Sequence, residues 1–431
     1  MSRRIGLLAL LLFVGPAAGA LAQEPPPAAT APADSPPPGP LPPSPPVAAA
    51  PATQGVEVEA LAAPDAFTTA GRDTGLPATL WRGASLKTVQ TVLPLVAAKP
   101  LSPAAAALAR RVLATGAPGP KGGNDPALTG ARAIALLGQG DAKAAAAILA
   151  RAPGVDRTPE LARAAAESAL LAGDDARACA VAESLTSGRD DVYWLRLRAY
   201  CQAIGGHPDQ AQLTFDLAQA QAKDPIFARL MTAKLAGAGN PGAASLRNGL
   251  DYALSHSLGL DLTTAKASPA VAAALSGGGP AEPTFDLASL PPDIAPFAQA
   301  AASGRPLAAA DLAALMGVGQ SGDPKAHARA QAAILLELAL EFEGTPEILD
   351  VAASLGVPEG RAPVGRDLAL DAAANRKLMG EAAMLALWTC AEAGPTGLAV
   401  GDRVRIVHAL HAVGLETDAR AFALEGLLAL K

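Results

Sequence analysis

The segments "ARAIALLGQGDAKAAAAIL" at 131–149, "ARAAAESALLAGDDARACAVAESL" at 162–185 and "LRAYCQAIGGHPDQAQLTFDLA" at 197–218 can be laid over one another. Gly140, Gly173 and Gly206 recur at one constant step, and Ala133, Ala166 and Ala199 keep it, as do Ala145, Ala178 and Ala211. Each unit reads as a helix, a Gly-containing turn and a second helix. Small residues at fixed places let paired helices approach, and the glycine takes the left-handed conformation at the helix end. A period in the low thirties marks stacked helical hairpins.

The pattern extends in both directions. Upstream, "SLKTVQTVLPLVAA" (85–98) and "SPAAAALARRVLAT" (102–115) are amphipathic, and the second opens with Ser102 at the N-cap and Pro103 at N1. Trp81 is placed to plug the end of this pair. Downstream the period fades, but helices are predicted at 243–257, 291–303, 306–316, 324–342, 346–355, 376–393, 402–413 and 416–430. Thr345-Pro346 is an N-cap and N1 pair, and "GGGPAEP" at 277–283 reads as a break. Residues 402–430 read as one more hairpin turning at Gly414. No segment keeps a β-type alternation, so the chain is predicted all-α.

The N-terminus reads as a secretory signal. Arg3 and Arg4 precede an apolar run from Ile5 to Val14, and Ala20-Leu21-Ala22 forms an A-x-A cleavage site. Ten residues rise about 15 Å as a helix, too short for a hydrocarbon core of about 30 Å. From Pro25 to Pro51 proline dominates, which forbids helix and sheet and predicts extended polyproline II. The expected map is a signal peptide at 1–22, a disordered Pro/Ala-rich linker at 23–77, helical repeats at 78–236, an irregular connector at 237–290 and a C-terminal helical block at 291–431. With the two signal arginines gone, 32 basic residues face 40 acidic ones, and the formal charge moves from −6 to −8. Such a chain is unsuited to nucleic acid or anionic membranes, and no membrane span is expected after signal cleavage.

The three units resemble tetratricopeptide repeats (TPR). That family places a small residue in its first helix, a Gly near the turn, an Ala early in its second helix and a large apolar residue four positions later. Ala199, Gly206, Ala211 and Phe215 match in the third unit. The second unit has Ala182 in the last place, the first has Leu149, and none carries the family's proline in register. The resemblance covers residues 126–222. It implies a right-handed α-solenoid of TPR-like hairpins whose inner face holds a protein or peptide.

"GGGP" at 277–280 lacks the Lys-Ser/Thr of a phosphate loop, and no G-x-S-x-G or H-E-x-x-H is present. His408 and His411 lack a third metal ligand within a turn. Asp174-Asp175 and Asp190-Asp191 stand at helix starts, where carboxylates cap amides. Ala-rich hairpins are also similar to the helical part of soluble lytic transglycosylases, but nothing corresponds to their lysozyme-like domain and its catalytic Glu. Neither a cofactor nor a metal is expected. Tyr193, Trp194, Tyr200, Phe215 and Phe227 form an aromatic cluster, with core as the commoner reading and a ligand site as the other. Tyr193, Arg196, Arg198 and Tyr200 are the candidate partner-binding residues.

Cys179 and Cys201 flank the "SGRDD" turn (187–191), and export would place them in an oxidising compartment. Centring the turn near Arg189 puts one thiol ten residues before it and the other twelve after it. On antiparallel helices this is an axial offset of about 3 Å, and neighbouring helices bring facing Cα atoms to roughly 6 Å. A Cys179–Cys201 disulfide is therefore predicted, with Cys390 free and buried. The expected function is a non-catalytic periplasmic or secreted scaffold binding a protein or peptide partner. The alternatives are an envelope glycan-acting enzyme or a polymer-binding module with an unrecognised helical site.

Overall fold

In the computed structural model, residues 65–237, 241–276, 283–304, 317, 323–340, 350, 353–356, 360–394 and 397–430 are described. The expected signal peptide, the linker as far as residue 64, the helix at 306–316 and six residues of that at 346–355 lie outside them. All described residues belong to one unit, Leu61–Lys431. They hold seventeen α-helices and no strand, so the chain is all-α as predicted.

The early helices are α1 (Leu86–Ala98), α2 (Pro103–Ala114), α3 (Pro126–Gly138), α4 (Ala142–Leu149), α5 (Pro159–Leu171), α6 (Asp175–Ser184), α7 (Val192–Ile204), α8 (Pro208–Gln221) and α9 (Pro225–Ala236). After them come α10 (Gly249–Ser257), α11 (Pro269–Ser276), α12 (Ala295–Ser303) and α13 (Pro324–Leu340). The last are α14 (Val364–Asn375), α15 (Met379–Ala393), α16 (Val400–Ala412) and α17 (Glu416–Leu428). Pro stands in the first turn of α2, α3, α5, α8 and α9, where its missing N–H has no helical partner to lose.

The repeated glycines do what their spacing required. Gly140, Gly173, Gly206 and Gly414 have φ of 80°, 74°, 80° and 84°. At each the chain makes the same paired turn: Gly140 N–H donates to Leu137 O and Asp141 N–H to Leu136 O, and the pattern repeats at Gly173, Gly206 and Gly414. One further copy uses Lys377, at φ 54°, with Leu378 N–H donating to Ala373 O. That turn moves the start of the helix expected at 376–393 to Met379 and sets off before it α14, a helix the sequence reading did not include. The inward stripe of α14 includes Asp367, paired with Arg405 at 2.5 Å, while Val364 and Leu368 face outward.

The linker does not extend to 77. Ala66 and Phe67 are buried, Phe67 packs on Trp81 with ring centroids 4.7 Å apart, and Ala66 accepts a hydrogen bond from Arg132. Arg132 is fully buried and also donates to Leu113 O at 2.6 Å and Thr115 O at 2.9 Å. Burial pulls its guanidinium down to about 9, against the opposing pull of Asp65. The boundary at 290 separates no cores either, since one apolar cluster runs from Ala66 through α1–α5 to Leu427. The α15 helix packs on α1 and α2, and α17 packs on α2. Carboxylates from this late block cap the first helices: Glu381 accepts from Ser85 N–H and Thr88 Oγ1, each at 2.8 Å, and Glu425 accepts from Ala104 N–H at 2.9 Å. A second, smaller core joins α5 through α10. One face of α5 serves the first core and the other serves the second.

Candidate functional site

The site is built where α10 meets α5. Asn248 caps α10 by accepting from Asp251 N–H at 2.8 Å. The next residue must be glycine: a Cβ at Gly249 would lie 2.7 Å from Glu167 Oε2. That closeness lets Gly249 N–H donate to Glu167 Oε2 at 2.7 Å. Asp251 accepts from Ser245 Oγ at 2.7 Å and from Arg247 Nε at 2.5 Å. Arg247 reaches on to Asp224, which caps α9 through the amides of Ile226 and Phe227. Partial burial works against the Asp224 charge, but the Arg247 hydrogen bond and the Phe227 amide hold its carboxyl below the usual range.

Glu167 is 8% exposed. Burial pushes its carboxyl above the usual range, and the Gly249 amide only partly opposes this. The buried Tyr193 hydroxyl faces the Glu167 carboxyl and helps to lower it, but neither Glu167 Oε1, nor that hydroxyl, nor Arg196 Nε makes a well-formed hydrogen bond. Tyr193, pushed well up by burial and by the Glu167 charge, carries the Arg163 guanidinium over its ring at 4.6 Å. Arg196 lies over Phe227 at 5.6 Å and pairs with Asp224 at 3.4 Å.

Two cavities adjoin along Arg163, Glu167 and Asn248. The larger, about 310 Å³, lies among the ends of α1 and α3, the α5 helix and the starts of α10 and α11, with Lys99 and Arg247 also on its wall. The smaller, about 180 Å³, is lined in addition by Tyr193, Arg196, Phe227 and three aspartates, Asp191, Asp224 and Asp251. Among the described residues, Lys99 and Arg163 make no ion pair.

The four candidate binding residues do not converge. Tyr193 and Arg196 line the smaller cavity. Tyr200 is fully buried and donates from its hydroxyl to Asp175 at 2.9 Å, so it is core and not a contact for a partner. Arg198 holds the α6–α7 turn by donating to Arg189 O at 2.5 Å. The cysteines are joined as predicted, Cys179 to Cys201, with Sγ–Sγ 1.99 Å and Cα–Cα 5.6 Å. Cys390 is free and buried, its thiol pushed up to about 12 by burial. His411 bonds Glu416 at 2.8 Å, and no group of ligating residues able to hold a metal is found among the described residues.

Sequence reasoning passed over Glu167, Arg163, Asn248 and Lys99. The available signal was one carboxyl inside "AAAESALL" (164–171), on a helix apolar on nearly every side. No family model matches the chain, and neither does any curated protein or solved structure.

Proposed function

We propose that this chain is a non-catalytic helical-repeat protein of the periplasm or of the secreted fraction, binding a protein or peptide partner as an envelope scaffold. In this reading its hairpins form a right-handed, TPR-like solenoid, and the partner seats in the cleft beside Glu167. The observation that carries the reading is the clustering of three buried, unpartnered polar atoms, on Glu167, Tyr193 and Arg196, at the wall of adjoining cavities. Buried polar groups are nearly always satisfied, so a cluster of orphans is a place for something to bind. The disulfide supports an oxidising location, and no described helix is long and apolar enough to cross a membrane.

The test is site-specific photo-crosslinking in a native envelope extract. A crosslinker at Asn248, which lines both cavities, should capture one discrete partner; the same group at exposed Gln210 on α8 should not. Equal, diffuse labelling from both positions would overturn the cleft. The raised Glu167 carboxyl also favours a second reading, an envelope glycan-acting enzyme with Glu167 as general acid. Against it, Asp224 and Asp251 are both occupied by Arg247, and Asp191, the third aspartate on the wall, is engaged in capping α7 through the Tyr193 amide. Release of soluble fragments from isolated cell-wall glycan, abolished by Glu167→Gln, would select that reading.

A further inference from the structure

We infer that the larger cavity is a seat for a small oxyanion, a carboxylate or phosphate group, held by Arg163 and Lys99 at its mouth and by Glu167 at its inner wall. The inference rests on the cleft being the binding seat and adds the chemistry of what enters it.

The charges decide the sign of the ligand. Three cations line this cavity: Lys99 at the end of α1, Arg163 on α5 and Arg247 before α10. Arg247 is neutralised by Asp224 and Asp251. Lys99 and Arg163 make no ion pair among the described residues, and Glu167, the one described acid on this wall, acts on Arg163 from beyond ion-pair distance, so even with Glu167 ionised the wall keeps a positive charge in excess. The only acid lining it is Glu167. The starts of α10 and α11 also open onto it, at Asn248 and at Ser268, and each adds the partial positive end of a helix. The smaller cavity is the opposite case: three aspartates face Arg163 and Arg196 there, which disfavours an anion.

Glu167 is the second and independent pointer. It is more than nine-tenths buried, and Gly249 claims only Oε2. A carboxylate with one orphaned oxygen in that setting would repel an anion. The protonated acid, which burial favours, instead offers an O–H donor at Oε1. The groups acting on it from the packed elements are Arg163 on its own helix, Tyr193 on α7 and Asp251 with the Gly249 amide on α10. The Gly249 amide, the Tyr193 hydroxyl and Arg163 favour ionisation, and Asp251 opposes it. A space of about 310 Å³ holds on the order of ten waters at liquid volume, ample for one oxyanion with part of its shell.

The experiment titrates the full mature chain, labelled with nitrogen-15, with sodium acetate and separately with inorganic phosphate at constant ionic strength. The reporters are the Gly249 amide and the Arg163 side-chain Nε–H. Both should shift along one saturable curve with at least one of the two anions. In Lys99→Gln/Arg163→Gln the binding should weaken at least about tenfold, the loss expected for removing a charge-assisted hydrogen bond. Acetate, ionised at every pH used, should bind more weakly as pH rises through the Glu167 titration, followed from pH 6 to pH 10, and Glu167→Gln should abolish that dependence. Unchanged circular dichroism verifies that each variant folds. Tighter acetate binding identifies a carboxylate end group, and tighter phosphate binding identifies a phosphoryl group. Non-saturable shifts, binding unaffected in the double variant, or acetate affinity indifferent to pH in the wild type overturns the inference. Saturable anion binding without a crosslinked partner at Asn248 upholds the seat and removes the partner reading. A captured partner with no anion binding does the reverse.

Discussion

Around α1 and α2 the buried side chains are mainly Ala, Leu and Val, covered by α15 and α17 in the larger cluster. Around α6 and α7 the buried set is smaller and includes Tyr193, Trp194, Tyr200, Phe215 and Phe227. There α8 leaves Leu213 65% and Leu217 54% exposed. The first region has apolar cover enough to close over even a buried arginine, whose charge is met by three carbonyls. The second has less, and it carries the disulfide and most of the buried polar atoms without a well-formed hydrogen bond, Trp81 Nε1 being an exception in the first. The difference teaches where a binding site can be accommodated in a helical chain. The proposed seat lies on α5, the helix shared by both cores, on the side where packing is thinner.

Arg132→Ala attacks the first region and should have the largest effect. It strips three carbonyls of their donor and leaves a void, a loss of about 3–5 kcal/mol measured by urea unfolding. A loss below about 1 kcal/mol would mean that the apolar cover alone holds this end. Reduction, or Cys179→Ser with Cys201→Ser, attacks the second region. Removing a link across a sequence separation of 22 residues should cost about 3 kcal/mol in the chain-entropy model. Amide exchange should then quicken in 175–221 and stay unchanged in 379–428; equal quickening in both would merge the two regions into one cooperative unit.

The pH dependence sharpens the contrast further. Because the folded state raises the Glu167 pKa, it binds more protons than the unfolded chain above the ordinary carboxyl range. This stabilisation is whole below the unfolded pKa and is lost as pH rises through the folded one. Glu167→Gln should therefore flatten the fall in stability toward alkaline pH and be the more stable protein there, as thermal melts at pH 5, 7 and 9 would show. Last, two tyrosines on one helix should part company. Tyr200→Phe loses the bond to Asp175, about 1 kcal/mol, whereas Tyr193→Phe removes a hydroxyl that faces Glu167 without a well-formed hydrogen bond and should be neutral within about 0.5 kcal/mol.

What the sequence disclosed was whatever recurs or pairs. Glycines at 140, 173 and 206 announced their turns because a left-handed residue there is nearly always glycine. The two thiols announced their bond because helix rise is fixed. What it concealed was whatever breaks local rules for a distant reason. Lys377 takes a glycine's conformation, Asp367 takes an inward place because Arg405 meets it, and Arg132 and Glu167 sit within alanine-rich helices where polarity argues for exposure. Each is explained by a partner far along the chain, which no window of local pattern contains. The same holds for the cleft, whose walls come from residues 97 to 270.

The late carboxylates that cap the early helices also set an order of events in time. Ser85 takes its acceptor from a residue 296 positions later, and Ala104 from one 321 positions later. A ribosome making 5–20 residues per second needs on the order of tens of seconds to cover that distance. For that interval the first two helices exist without the groups that finish them and without the cover of α15 and α17. An array of hairpins that pack only on their neighbours can settle one unit at a time. Here the beginning of the chain waits for its end, and the bare faces of α1 and α2 are the surfaces a nascent-chain chaperone would find.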